Sequence, residues 1–336
     1  MKKIIFGLLF AFLLIGLTEL LLRLAGYSPY RKPFIDITFQ PSFNHLPDPV
    51  LGYSLADGSF TVTSKVNNDS LVYHTTHRNG QRITDTVQTD ATAKSGEIVL
   101  LGCSYTYGQG LDDTATCAFV LQQKLKQQNK NVRVVNRGVG GYGPTQFYLL
   151  SGTIDSATTA LVVINYAAFQ DERTTLCRSW RKLVVPNQTN TANFATIRAP
   201  YFSPGAGVPQ LGYRQMTYTF LPLQKSLALV ELLDQLYCRY EQKKAANISR
   251  QVLSLTLQQL TKKGIPVLLC GITPDEGTKA TLMAFEKSGY NTLLYGVAVQ
   301  NPKYNLLPKD VHPNYTANLI FADSLFNFIM KKNYLH

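Results

Sequence analysis

Cysteine and histidine are scarce in this chain, five of each in 336 residues. The cysteines (Cys103, Cys117, Cys177, Cys238 and Cys270) are widely spaced. No Cys-x-x-Cys pair and no Cys/His ligand spacing occurs, which argues against a structural zinc centre. One disulfide would fit an oxidising compartment, with Cys177 and Cys238 as a candidate pair, whereas Cys117 and Cys270 fall in apolar patterns and read as core fillers. His74 and His77 lie three apart in a β-rich region with no third ligand nearby, and read as surface residues. A concentrated basic stripe is also missing. The net charge is +12, but the basic runs are pairs such as Lys2-Lys3, Lys243-Lys244, Lys262-Lys263 and Lys331-Lys332. Nucleic-acid binding is therefore not expected, because attraction to an anionic polymer or a membrane surface explains the charge equally well. There is no internal repeat and no low-complexity tract, and neither a metal nor a cofactor is expected.

A long apolar run occurs at the start of the chain, from Ile4 to Leu17, with Thr18 and Glu19 ending it and Leu20 to Leu24 resuming it. It is short for a spanning helix unless the second piece extends it. No clear small-x-small cleavage site follows, and no cysteine lies nearby for lipid attachment. We read residues 1–26 as an uncleaved signal anchor with Lys2 and Lys3 cytoplasmic and the remainder extracytoplasmic, at the periplasmic side or the cell surface. A cleaved signal peptide, giving a secreted protein, and a buried amino-terminal helix of a cytosolic enzyme are the competing readings.

Residues 27–95 read as a β-rich extension of short alternating runs, among them Ser59 to Thr63 and Leu71 to His74, with Thr84 to Ser95 as a linker. From residue 96 to 336 the pattern becomes alternating strands and helices, as in a parallel sheet covered on both faces. Strands are expected at Ile98–Leu101, Val132–Val135, Ala160–Ile164, Pro266–Cys270 and Leu293–Val299. Helices are expected at about Ala118–Gln128, from Gln146, at Leu227–Ala246, Ser249–Lys263, Lys279–Lys287 and Asn314–Lys332. Residues 172 to about 225 lose this rhythm and read as an irregular insertion over the carboxyl edge of the sheet, where lids and specificity loops occur.

Two places at that edge carry chemistry. The first strand breaks at Gly102 and delivers Cys103 and Ser104 onto a turn flanked by Gly108 and Gly110. A side chain so placed meets the region where open α/β sheets bind ligands, which makes Ser104 a candidate nucleophile, although a lone Gly-x-Ser is more often a turn or cap. Asp310-Val-His312-Pro313 precedes the last helix. There His312 could deprotonate Ser104 and Asp310 could hold the imidazole, while the plainer reading is a helix-capping turn. Gly138-Val-Gly-Gly-Tyr-Gly143 matches the dinucleotide spacing Gly-x-Gly-x-x-Gly, but it follows the second strand and no acid ends the third, so that match is weak. Its glycines could instead aim backbone N–H groups at an oxyanion.

Taken together, Gly102-Cys-Ser-Tyr-Thr-Tyr-Gly108, the loop from Asn136 to Gly143 and Asp310-Val-His312-Pro313 resemble the ordered blocks of the SGNH/GDSL hydrolase family, over roughly Glu97 to the carboxyl terminus. The resemblance implies a three-layer α/β/α, flavodoxin-like fold, with Ser104 as nucleophile and His312 as base. It also implies an oxyanion hole of the Ser104 N–H, a glycine N–H (Gly140, or Gly141) and one side-chain amide. The chain departs from the family at three places. Cys103 stands where an aspartate is common, and Lys309 stands three before the histidine, leaving Asp310, two before, as the acid. The usual Gly-x-Asn-Asp is replaced by Asn165-Tyr-Ala-Ala-Phe-Gln170-Asp171, so that either Asn165 or Gln170 supplies the amide.

The expectation is a membrane-anchored, exported serine hydrolase acting on ester bonds, by hydrolysis or acyl transfer, on an ester-bearing small molecule, glycan or lipid. Cys103 as the nucleophile is a second reading. A non-catalytic surface binding protein on a degenerate scaffold of this kind is a third, from a different class.

Overall fold

The computed structural model describes residues 2–32, 35–41, 44–66, 69–86, 96–185 and 197–334. Most of the expected linker, from residue 87 to 95, lies outside them, as does the part of the expected insertion from 186 to 196. The chain opens with α1 (Lys2–Leu24), the one helix among the described residues that is long and apolar enough to cross a membrane.

The extension supplies β1 (Ile35–Gln40), β2 (His45–Asp48), β3 (Gly52–Leu55), β4 (Gly58–Val66), β5 (Asp69–Arg78) and β6 (Gln81–Arg82). After it come β7 (Glu97–Gly102), α2 (Ser104–Tyr107), α3 (Cys117–Gln127), β8 (Arg133–Gly138), α4 (Pro144–Thr153) and β9 (Thr159–Tyr166). Next are α5 (Asp171–Thr174), α6 (Arg178–Val184), β10 (Arg198–Ser203), β11 (Gln210–Gln215) and α7 (Ala228–Lys262). The chain closes with β12 (Val267–Gly271), α8 (Glu276–Lys287), β13 (Asn291–Leu294) and α9 (Tyr315–Lys332).

The strands β8-β7-β9-β12-β13 are neighbours in that order and run parallel. Counted from β7 this is the order 2-1-3-4-5, which is flavodoxin-like and reverses direction beside β7. Alternation along each strand divides the core between two faces. Ile98, Leu100, Val134, Leu161, Val163 and Leu268 pack with α3 and α9 on one face. Val99, Leu101, Val135, Val162, Ile164 and Leu269 pack with α4, α7 and α8 on the other. The architecture is three-layer α/β/α.

The sheet does not stop at the parallel strands. β6 pairs antiparallel with β8 through Arg82 and Asn136, and β5, β4 and β1 follow, all antiparallel, to complete nine strands. Four strands of the extension are thus the edge of the same sheet, while β2 and β3 pair with each other in a small sheet of their own. Arg82 fixes the seam: buried, it donates to Asp113 Oδ1 at 2.7 Å and to the carbonyls of Tyr107, Gly108, His74 and Leu111.

Five expectations change. His77 is buried, whereas His74 is exposed and lies 3.3 Å from Asp112. The two helices expected between 227 and 263 are one, because a lone Asn247 costs well under ~1 kcal/mol and the buried stripe Ala245, Ile248, Val252 runs through it. The last strand ends at Leu294, and Tyr295, Val297 and Val299 pack into the core from a non-strand segment. The described part of the insertion is ordered, with α6 and the β10–β11 hairpin, and Arg178 and Lys182 of α6 pair with Asp234 and Glu231 of α7. The candidate disulfide is absent too. All five cysteines are free and buried, with Cys177 Sγ set against Thr175 Oγ1 at 3.1 Å instead.

Candidate active site

The site forms where β7 ends. Thr106 and Tyr107 donate to Cys103 O at 3.0 and 2.9 Å, and Gly108 N donates to Ser104 O at 3.0 Å, winding α2 directly off the strand. Gly108 closes this turn at φ +84°, a conformation that side chains with a Cβ resist. Ser104 therefore stands at the first helical position, beside the point where the strand order reverses. Cys103, one residue earlier, turns into the core among Leu100, Cys117 and Ala317, with no exposed surface. That removes the thiol from the reading in which it attacks substrate.

His312 arrives on the segment between β13 and α9. The segment is pinned by Leu306 N donating to His312 O at 3.0 Å, by Asn305 Nδ2 donating to Val299 O at 2.9 Å, and by Asn314. Asn314 caps α9 by accepting from Ala317 N at 3.1 Å, so the capping role considered for the Asp-Val-His-Pro stretch falls to the residue after it. His312 Nε2 is then 3.0 Å from Ser104 Oγ, and its Nδ1 meets Asp310 Oδ1. The same carboxylate oxygen accepts the His312 backbone N–H at 2.9 Å. Since a carboxylate only accepts, Nδ1 carries the proton and Nε2 presents its lone pair to the serine hydroxyl. Burial alone would raise the Asp310 carboxyl. The hydrogen bond and electrostatic pull of the His312 ring, with the backbone N–H groups of His312 and Val311, outweigh it and hold the group below the ordinary carboxylate range. The three side chains are thus brought together even though the acid stands only two residues before the histidine.

The glycine loop after β8 packs against α2. Asn136 Nδ2 donates to Thr106 O and its Oδ1 accepts from Gly138 N, both at 3.0 Å. A Cβ on Gly138 would lie 2.5 Å from Tyr107 N, so only glycine allows this approach. Tyr53 of the extension reaches over the loop and donates to Gly140 O at 2.6 Å. A Cβ on Gly141 would meet the Tyr53 hydroxyl at 2.3 Å and Trp180 at 3.3 Å. The loop is packed under side chains where a dinucleotide would need open space.

The two candidate amides part company. Asn165 is buried, with its Oδ1 accepting from Tyr295 OH at 2.6 Å. By alternation along β9 it shares the α3/α9 face with Leu161 and Val163. Gln170 lies after the strand and is also buried; its Nε2 makes one long contact, 3.4 Å, to Asn165 O, and its Oε1 has no partner. Asp171 beside it accepts from Tyr166 OH at 2.8 Å, and burial pushes its carboxyl up to about 6. Around the serine and histidine, the Tyr105 ring stands edge-on to His312 at 5.5 Å and packs on Phe169 at 5.3 Å. Among the described residues no cluster of three or more His, Cys, Asp or Glu side chains could hold a metal ion.

Sequence reasoning gave Asn136 no role of its own within the glycine loop and passed over Tyr53 and Arg82. A buried-looking asparagine at a strand end was a local signal for the first. The other two act on residues 87 and about 30 positions away, with nothing local to mark them.

No family model matches the sequence, and no curated protein matches it. Solved structures similar to it include that of TesA, 16% identical over 71% of this chain and 99% of its own, at a TM-score of 0.45. Another is a psychrotrophic esterase EstA from Pseudoalteromonas, inhibited by monoethylphosphonate, 12% identical over 71% of this chain and 98% of its own, at 0.41. A third is a member of the lipolytic G-D-S-L family from Veillonella parvula, 10% identical over 70% of this chain and 98% of its own, at 0.39. At such identities and scores these are likenesses only, and the fold and the site rest on the topology and distances above.

Proposed function

We propose that this chain is a serine hydrolase of ester bonds, acting by hydrolysis or by acyl transfer. One observation carries the reading: Ser104 Oγ, His312 and Asp310 stand in hydrogen-bonded sequence at the carboxyl edge of the sheet, beside its reversal point. In this reading Ser104 Oγ attacks the ester carbonyl as His312 Nε2 takes its proton. The imidazolium is stabilised by ionised Asp310, and the proton passes to the departing alkoxide. Water or a second hydroxyl then gives its proton to His312, attacks the acyl-serine and regenerates Ser104. The oxyanion is held by the N–H groups of Ser104 and Gly140 and by the amide of Gln170.

The location that fits is the outer face of a membrane. At 23 residues α1 is about 35 Å long, and its apolar side chains are exposed all round, Glu19 alone being buried. An extracytoplasmic enzyme so held would meet O-acylated glycans or lipids. Ser104→Ala should lower hydrolysis of a short-chain aryl ester by at least about 10⁴-fold. An organophosphonate should label wild-type protein at Ser104. Undiminished activity in Ser104→Ala, with the label on another residue, would sink the assignment.

A further inference from the structure

Two arginines are buried among the described residues, Arg82 and Arg173. Arg82 has a carboxylate, Asp113. Arg173, 9% exposed, makes no ion pair among the described residues. Its neighbouring acids are committed elsewhere: Asp171 Oδ1 to Tyr166, and Glu172 Oε2 to Ser179 Oγ at 2.5 Å and Gln242 Nε2 at 2.9 Å. The guanidinium has one carbonyl, Tyr142 O at 2.7 Å from Nη1, while Nε is buried with no hydrogen-bond partner. Two rings flank it, Phe169 at 5.0 Å and Trp180 at 4.6 Å from Cζ. Ring faces offset part of the cost of removing a guanidinium from water but leave its in-plane donors unmet. A buried charge without a counter-charge is expensive, and a binding site is where such a cost is retained.

The position is next to the chemistry. Phe169, under the guanidinium, packs on Tyr105, which packs on His312. Tyr142, which accepts from Arg173, and Gly143, whose Cβ would lie 3.1 Å from Arg173 Cβ, belong to the glycine loop. Burial raises the phenols of Tyr53 and Tyr105, and the Arg173 charge opposes that rise at both. The cation therefore acts on side chains over the glycine loop and beside the catalytic histidine.

We infer that Arg173 is the recognition site for a carboxylate carried by the ester substrate, held against the Phe169–Trp180 ring pair. This rests on the esterase reading for its catalytic consequence, while binding of the anion does not. The carboxylate can be borne by the acyl group or by the alcohol, and the two are separable with aryl esters. Full-length protein in detergent would be assayed with 4-nitrophenyl hydrogen succinate (charge on the acyl side), 4-acetoxybenzoate (charge on the alcohol side) and neutral 4-nitrophenyl butyrate. In Arg173→Gln the ratio of kcat/KM for one charged ester to that for the neutral ester should fall about 10- to 100-fold, through KM. Which charged ester falls assigns the side. Arg173→Lys keeps the charge without the fork and should lose about tenfold, which covers the case in which Arg173→Gln does not fold.

Trp180 is the only tryptophan of the chain, so its emission reports on the pair without any turnover. Succinate should change it saturably in the wild type, against chloride at equal ionic strength, and should not do so in Arg173→Gln. A succinate response that depends on Arg173, with no ester hydrolysed, would uphold the anion site and end the esterase reading. Unchanged ester ratios in a folded variant, or a wild type whose Trp180 ignores succinate, would overturn the inference.

Discussion

Gln170 and Asn165 are five residues apart and both are buried amides, Asn165 within the end of β9 and Gln170 in the turn after it, and their surroundings give them different work. The Asn165 carbonyl is occupied by the Tyr295 hydroxyl on the helix-covered face. Gln170 has left the strand, holds only a 3.4 Å contact and keeps an unpaired oxygen, so little is lost when its amide turns toward a developing charge. Gln170→Ala should therefore lower kcat by about 10²–10³-fold with stability little changed. Asn165→Ala should instead strip Tyr295 of its acceptor and cost about 1–3 kcal/mol of stability, read as a lower urea midpoint. Steady-state kinetics and urea melts on the two variants decide the matter, and the opposite pattern would make Asn165 the donor. The sequence singled out Ser104, Asp310 and His312 as candidates because each is marked locally, by a glycine break after an apolar run or by a proline turn before a helix. It left the two amides open because direction along a strand end depends on where β9 stops, two residues beyond the expected Ile164.

Among the elements, α1 and α7 have a relation that no local pattern announces. Leu227, at the start of α7, has no side chain able to cap it. The cap comes from 209 residues earlier: Glu19 accepts from Ala228 N at 2.9 Å and Leu229 N at 3.0 Å. Arg23 holds that carboxylate at 2.6 Å and donates to Ser226 O at 2.8 Å. In the sequence Glu19 merely interrupted an apolar run; in the structure it joins the amino-terminal helix to α7, satisfying donors that a helix start leaves free. Glu19→Ala should expose the first turn of α7, with amide exchange at Ala228 and Leu229 about tenfold faster in detergent, equivalent to the ~1 kcal/mol typical of a lost cap. Unchanged exchange at those two amides would show that the contact does not form. The long contacts of the insertion escaped the sequence for the same reason. Thr, Asn and Pro between 172 and 225 suggested irregular chain, whereas Arg178 and Lys182 meet their acids only once α6 lies across α7.

For the molecule as a whole, the extension and the parallel strands share one sheet, and the seam between them carries a titratable group. His77 Nδ1 lies 2.9 Å from Ala56 O, which can only accept, so Nδ1 donates. Nε2 is then an acceptor, 3.1 Å from Thr75 Oγ1 and 2.9 Å from the hydroxyl of Tyr107, the last residue of α2, which itself donates to Thr75 Oγ1 at 3.0 Å. Burial is the main cause that pushes this imidazole down from 6.5 to about 4; Arg82 adds to it, and the Ala56 carbonyl and Asp57 oppose it. The folded state thus takes up the proton later than the unfolded chain. The contribution is fully present above pH 6.5, is lost progressively as pH falls from 6.5 toward 4, and amounts to about 3 kcal/mol at its limit. Because His77 touches Tyr107, three residues from Ser104, the loss should be felt by the serine turn as well as by the extension. Wild-type protein should unfold in a single transition whose urea midpoint drops between pH 7 and pH 4.5, with activity lost over the same denaturant range. His77→Gln, neutral at every pH, should flatten that drop while starting from a lower midpoint at pH 7. A drop of equal size in His77→Gln would place the acid sensitivity elsewhere, and two separate transitions would mean that the seam does not couple the extension to the sheet.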